Sequence, residues 1–282
     1  MSEFAARRAA FRKLHESGCF LIPNPWDIGT ARYLRHLGFK ALATTSSGFS
    51  FSRGRPDGTG AVTRDMALGH IAEMVASVDV PLNADFESGY AREPKDVAES
   101  VRLCVATGVS GLSIEDSTGD GARPLFELPL AVERLAAARA AIDATGSRVL
   151  LTGRAECFLV GIKEPLAESI RRLQAYAKAG ADVLYAPGAH ARGDIEAIVS
   201  AVAPKPVNVL MSANTGLRVS DLAELGVRRV SVGSSLARAA WGGFMRAAKL
   251  MAEEGSFAGL DGSVPFGELN GFFSEDLGQR PL

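Results

Sequence analysis

The chain has 282 residues, 47% of them hydrophobic, and a formal net charge of −1. That length and apolar content suit one large α/β core. The near-zero charge gives no global attraction to nucleic acid or an anionic membrane, and no apolar run approaches the about 18 to 20 residues of a membrane span.

Residues 1–13 carry Arg7, Arg8, Arg12 and Lys13 but no apolar stretch, so no secretory signal is expected. Cys19, Cys104 and Cys157 form an odd, widely spaced set with neither metal nor disulfide spacing. A reducing cytoplasm is the expected compartment. A phrase then recurs: a helical stretch, a glycine, one or two residues, and a short apolar strand. Its glycines are Gly38, Gly108, Gly180 and Gly226. Glycine just past a helix tolerates the left-handed conformation that ends it. Filling the alternate units predicts eight strands, near 20–22, 41–44, 82–84, 112–114, 149–152, 183–185, 207–210 and 229–232. They are short and apolar without alternation, as buried parallel strands are.

Helical periodicity lies between them. Val97, Val101, Cys104 and Val105 share one face, as do Leu166, Ile170, Leu173 and Ala177. Pro94 and Pro165 suit first-turn positions. A last helix is predicted over 234–254, and the Gly- and Phe-rich residues 258–282 do not fit the repeat. The fold predicted is a single-domain (β/α)8 barrel over residues 1–257 with a C-terminal tail. An open doubly wound sheet is the rival, but no Gly-rich dinucleotide loop follows any strand.

Barrel chemistry gathers where the strands end. The third strand ends in Asp85-Phe86-Glu87, the fourth in Glu115-Asp116, the fifth in Gly153-Arg154-Ala155-Glu156. Carboxylates converging on one rim repel unless protonated or bound to a cation. An oxygen-only set favours a hard ion, Mg²⁺ with Mn²⁺ as its substitute. For Asp85, Glu87 and Glu115 jointly, this reading is stronger than helix capping. For Asp116 and Glu156, a cap or ion pair is the better reading. Arg154 either binds a substrate carboxylate or developing enolate, or forms a structural salt bridge to Glu115 or Glu87. Ser46-Ser47-Gly48-Phe49 offers hydroxyls and backbone N–H groups as an anion nest, or is simply a turn. Asn208, near the end of the seventh strand, is a further candidate substrate contact. Trp26 is either core or a pocket wall. His15, His36 and His70 read as packing or surface residues, His190 as a residue that could face the site, and Cys157 as a buried thiol.

The segments Asn24-Pro25-Trp26-Asp27, Ser47-Gly48-Phe49, Pro56-Asp57-Gly58, Asp85 to Tyr90, Ile114-Glu115-Asp116 and Arg154 together resemble the isocitrate lyase/phosphoenolpyruvate mutase superfamily, from about Phe11 to Phe257. The resemblance implies Mg²⁺ on Asp85, its waters held by Asp57, Glu87 and Glu115. It implies an α-oxo-carboxylate among Trp26, Ser47, Gly48, Phe49 and Arg154, and a C–C or C–P bond broken or made through a pyruvate-like enolate. It also implies a last helix exchanged between subunits of a dimer within a tetramer. Two departures stand out. The superfamily's isocitrate and methylisocitrate lyases carry an acid/base Cys in a Lys-Lys/Arg-Cys-Gly-His loop after the fourth strand, and the phosphonopyruvate-forming mutases an Asn. Residues 117–127 here contain no Cys, His or Asn. Members also often read Arg-Thr-Asp where this chain has Arg154-Ala155-Glu156. The function expected is a Mg²⁺-dependent lyase for a small 2-oxo or 2-hydroxy acid, with Arg154, Asp57 and Glu115 as its catalytic residues. Phosphonate mutase or hydrolase chemistry and a non-catalytic metabolite-binding barrel are the alternatives.

Overall fold

The computed structural model describes residues 3–279. Its first half contains α1 (Glu3–Leu14), β1 (Phe20–Ile22), α2 (Ile28–His36), β2 (Leu42–Ala43), α3 (Ser46–Ser52), α4 (Arg64–Ser77), β3 (Leu82–Asp85), α5 (Pro94–Ala106) and β4 (Gly111–Glu115). There follow α6 (Leu128–Ala144), β5 (Leu150–Arg154), α7 (Pro165–Lys178), β6 (Val183–Tyr185), α8 (Arg192–Val202), β7 (Val207–Leu210), α9 (Val219–Glu224) and β8 (Arg229–Ser231). The chain finishes with α10 (Ser235–Glu254), a 3-10 turn (Ala258–Leu260) and α11 (Phe266–Gln279).

The eight strands are parallel and ordered β1-β8-β7-β6-β5-β4-β3-β2. The two outer strands of that order meet at a seam, where Ala43 N–H donates to Pro23 O at 3.1 Å. Asn24 locks the seam: its Nδ2 donates to Thr44 O at 2.9 Å, and its Oδ1 accepts from Val232 N–H at 3.0 Å and Gly233 N–H at 2.9 Å. The predicted (β/α)8 barrel is the observed one. The helices begin where local chemistry starts them. Pro94 and Pro165 open α5 and α7, and the Asp27 side chain caps α2 by accepting from Thr30 N–H at 2.7 Å. The four repeat glycines follow α2, α5, α7 and α9 with φ of 87°, 95°, 102° and 83°, a left-handed region that side chains resist.

Helix α1 precedes the barrel and sets Phe11 against Ile22, Ala41, Ala43 and Leu150, where it is fully buried. Phe11 fills the space over Gly111, since a Cβ there would lie 2.7 Å from its ring. His15 packs edge-on to Phe11 and Phe20, at 4.7 Å and 5.0 Å between centroids, and burial lowers its pKa to about 3. His70 is stacked on Phe49 at 4.0 Å, and burial lowers it to about 4. Both are packing histidines, while His36 is exposed and His190 bonds back to Gly188 O.

The chain divides into two compact units that part between Ser234 and Ser235. The first holds the eight strands. The second holds α10, which the sequence pattern had attached to the barrel, together with the 3-10 turn and α11. Within it the turn packs on α10 at Gly259, where a Cβ would stand 2.6 Å from the Ala247 backbone. This unit exposes large apolar side chains, among them Phe244, Phe257 and Phe266.

Candidate active site

Asp85, Glu115 and Arg154 are the last residues of β3, β4 and β5. In register, Glu115 lies beside Arg154 and Arg154 beside Tyr185. The guanidinium therefore reaches across the rim. Its Nη1 stands 3.1 Å from Asp85 Oδ1 and 3.1 Å from Glu115 Oε2, while its Nε donates to Glu156 Oε1. Of the two salt-bridge partners the sequence offered for Arg154, Glu115 is paired and Glu87 is not, and Asp85 and Glu156 are added. Its guanidinium also lies 5.4 Å over the Tyr185 ring. Glu87 turns elsewhere and accepts the Tyr90 hydroxyl proton at 2.8 Å.

The other oxygen of Asp85 accepts the Ser46 N–H at 2.9 Å. This contact comes from local sequence. Thr45 caps α3 by accepting from Gly48 N–H at 3.3 Å, so residues 46–49 wind into a helical turn rather than an open nest. The N–H facing the carboxylates is that of Ser46. Ser47 Oγ instead donates to Asp57 Oδ2 at 2.5 Å and ties the exposed 53–60 segment to the rim. Glu87 and Tyr90 adopt φ of 46° and 55°, unusual for residues with side chains. Arg134, 1% exposed, holds this turn by donating to Ala91 O at 2.8 Å, Arg92 O at 3.1 Å and Ser88 O, and also to Glu115 O at 3.3 Å.

Negative charge exceeds positive here. Asp85, Glu115 and Glu156 contact the Arg154 guanidinium, and Glu87 adds a fourth carboxylate nearby. Burial, with repulsion from Asp85 and Asp57, pushes Glu87 up to about 7 despite its bond to Tyr90. Burial also raises Glu115 well above the usual carboxylate range, against the pull of Arg154. Burial disfavours the Arg154 charge, but Glu115, Glu156 and Asp85 more than compensate and raise its pKa. Buried carboxylates in excess of cations are a donor set for a hard divalent ion. Among the described residues, no three or more His, Cys, Asp or Glu side chains stand close enough to ligate one ion directly. Asp85, Glu87 and Glu115 therefore do not form a shell of three direct ligands.

Beside the cluster opens a cleft of about 340 Å³, between Gly58, Gly60 and Thr63 on one side and Ser117 and Gly119 on the other. Glu87, Tyr90 and Glu115 line it. That is the size of a small-metabolite pocket. Trp26 is half-buried ahead of α2, its backbone N–H directed to Thr30 Oγ1 at 3.3 Å. Phe49 packs with Val62 and Ala67 in a small apolar cluster. Asn208, 2% exposed, has both amide atoms engaged inside the barrel. Its Nδ2 donates to Ser231 Oγ at 2.9 Å, and its Oδ1 accepts from Arg229 Nε at 2.8 Å. Asn208 is in register with Tyr185, whose hydroxyl pKa burial raises to about 12 against the pull of Arg154 and a bond to Ser231. In the sequence, Ser46 and Tyr90 stood only as members of longer segments, and Tyr185 only as the end of a strand. Asp116 and Glu156 make ion pairs, as their sequence context suggested.

Three comparisons locate the chain among known proteins. A Burkholderia cenocepacia structure described as that of a candidate lyase/mutase superposes with a TM-score of 0.92 at 47% identity, covering 97% of this chain and 98% of that one. An uncharacterised protein of Mycobacterium tuberculosis is 33% identical over 92% of this chain and 94% of its own length. An oxaloacetate decarboxylase of Paraburkholderia xenovorans is 31% identical over 81% of this chain and 75% of its own. The family profile described as phosphoenolpyruvate phosphomutase matches residues 11–252, which takes in the whole strand set and the rim carboxylates. The chain belongs to that family.

Proposed function

We propose that this protein is a Mg²⁺-dependent lyase that cleaves a C–C bond or removes CO₂ from a small 2-oxo or 2-hydroxy carboxylic acid. The observation that carries the reading is the rim itself: Arg154 between Asp85 and Glu115, an excess of buried carboxylate, and a cleft of about 340 Å³ beside them. Asp85 would hold the ion, Mn²⁺ serving equally, with Asp57, Glu87 and Glu115 acting on its waters. Such an ion polarises a carbonyl oxygen and neutralises carboxylate charge.

The chain's own groups would do the rest. Arg154 stays charged and stands next to the place where enolate charge develops. A fixed donor there lowers the barrier by about 3 kcal/mol. The Ser46 N–H holds Asp85 in one orientation, and the Ser47 hydroxyl holds Asp57. Trp26 and Phe49 would wall the substrate side, and Asn208 would support Tyr185 through Ser231. Residues 117–127 supply no Cys or His for proton transfer. Decarboxylation of an oxaloacetate-like acid requires enolate stabilisation rather than a thiol acid. The oxaloacetate decarboxylase relative is consistent with that choice.

The family's phosphomutase description favours a second reading, C–P chemistry on a phosphonopyruvate-like acid. A third, a metabolite-binding barrel without turnover, draws on the missing loop residues. The exposed aromatic side chains of the C-terminal unit support a homodimer or tetramer built through that unit. The buried thiols Cys104 and Cys157 suit a reducing cytoplasm.

The test is purified protein with Mg²⁺ and, separately, oxaloacetate, methylisocitrate, dimethylmalate and phosphonopyruvate, assayed for pyruvate. Turnover of one acid that Asp85→Ala abolishes is the expected outcome. Silence on all four, with Mn²⁺ bound by paramagnetic resonance, refutes the lyase reading. Oxalate binding without any turnover selects the non-catalytic barrel.

A further inference from the structure

Behind the rim lies a second set of buried charges that the proposed chemistry does not use. Asp116, 2% exposed, follows Glu115 directly. Its Oδ2 accepts the Tyr176 hydroxyl at 2.5 Å and Arg172 Nη1 at 3.1 Å, both from α7. Its Oδ1 accepts the Glu156 N–H at 2.9 Å. Its backbone N–H donates to Arg154 O at 3.3 Å, and its backbone oxygen accepts from Phe126 N–H at 2.9 Å. Arg172 Nη1 also donates to Phe126 O at 2.9 Å. The Asp116 carboxylate therefore joins the ends of β4 and β5 to a helix behind them, while its backbone oxygen and Arg172 hold Phe126 at the closing end of the 117–125 hairpin.

Glu156 is the link to the site. Its N–H is fixed by Asp116, and its carboxylate takes the Nε of Arg154. That leaves Arg154 Nη1 for Asp85 and Glu115. A guanidinium is a rigid planar fork, so where its Nε is anchored sets where its Nη atoms point.

We propose that Asp116, clasped by Arg172 and Tyr176, is a positioning residue that sets the orientation of Arg154 through Glu156 and fixes the base of the 117–125 hairpin at the mouth of the cleft. The cost of a fully desolvated ion pair argues for a role beyond stability, because apolar residues of similar volume stabilise a core as well or better. The kinetic part of this proposal rests on the lyase reading; the structural part does not.

The test uses the full-length protein as Asp116→Asn, Tyr176→Phe, Arg172→Lys and Arg172→Met. Tyr176→Phe removes a single hydrogen bond and keeps the core packed, so it reports even if Asp116→Asn does not fold. The first readout is the Arg154 Nε–H resonance, identified by its absence in Arg154→Lys. It should shift and exchange faster with water in Asp116→Asn and Tyr176→Phe. In the second, kcat on the turned-over acid should fall about 10-fold to 100-fold, the range for a reacting group misplaced by an ångström, with KM and Mn²⁺ affinity unchanged. Arg172→Lys should recover much of what Arg172→Met loses. A folded Tyr176→Phe or Asp116→Asn protein whose Arg154 resonance and kcat match the wild type overturns the proposal, whatever its melting temperature. If the wild type turns over no acid, the lyase reading fails while the resonance still decides whether Asp116 positions Arg154.

Discussion

Replacing Arg154 with Met tests the electrostatic account of the rim. The side chain is 16% exposed and contacts Asp85, Glu115 and Glu156, which are 18%, 15% and 6% exposed. Met keeps much of the volume and removes the charge. Breaking a buried pair from one side costs about 3–5 kcal/mol, and three acids lose their partner together, so the upper end applies at pH 8. For a chain of this size that is a drop of roughly 10 to 15 °C in melting temperature. The sign with pH follows from the raised carboxylates. Glu115 and Glu156 already titrate above their usual range through burial. Without Arg154 they move further up. A carboxyl whose folded pKa is raised favours the fold fully below its unfolded value and loses that contribution as pH rises through the folded value. The deficit of Arg154→Met should therefore be small near pH 5 and grow toward pH 8. Melts of both proteins across that range, in chelator, read it directly. A deficit that is independent of pH, or below about 1 kcal/mol, the size of an exposed surface pair, would refute the reasoning.

Other consequences are as direct. Glu87 titrates near 7 in the fold, so its unfavourable charge develops as pH rises past that value; added Mg²⁺ should raise the melting temperature more at pH 8 than at pH 6, and Asp85→Ala should abolish that difference. His15 and His70, both 8% exposed, are lowered to about 3 and about 4 by burial, so the unfolded chain binds their protons first. Each should cost about 1.4 kcal/mol of stability per pH unit as pH falls below about 6.5, until its folded pKa is reached; denaturant titrations of His70→Phe against wild type at pH 5 and 7 measure it. Phe11→Ala should lose about 3–5 kcal/mol, the range for a truncated core aromatic, without changing Mn²⁺ affinity. Asn24→Ala leaves the Val232 and Gly233 N–H groups unpaired at the strand seam, about 1–3 kcal/mol for each, and Asn24→Asp, which keeps the acceptor, should lose less.

The fold and part of the site follow from sequence for identifiable reasons. Parallel strands buried on both faces must be short and apolar, so Phe20 to Ile22 and Val183 to Tyr185 stand out between helices whose apolar periods differ from theirs. A helix that must stop before a strand takes a left-handed glycine, which marks Gly38, Gly108, Gly180 and Gly226. Because strand ends form one rim, Asp85, Glu115 and Arg154 could be assigned to a common centre from strand boundaries alone. What the sequence could not decide was partner choice. A backbone N–H has no sequence signature, so Ser46 stayed hidden within a segment read as a turn or a nest, which the Thr45 cap makes the start of a helix. Glu87 lies two residues from Asp85 yet bonds Tyr90, because the chain turns at positive φ immediately after β3. Asn208 is the second of the four residues of β7, and its amide is taken up by the buried Arg229 and Ser231. Asp116 and Arg172 are 56 residues apart, and nothing local connects them. Periodicity and turn chemistry are properties of neighbours in the chain, and they determined the barrel. Ion pairs depend on which side chains the closed barrel brings within a few ångströms, and that was decided only by tertiary structure.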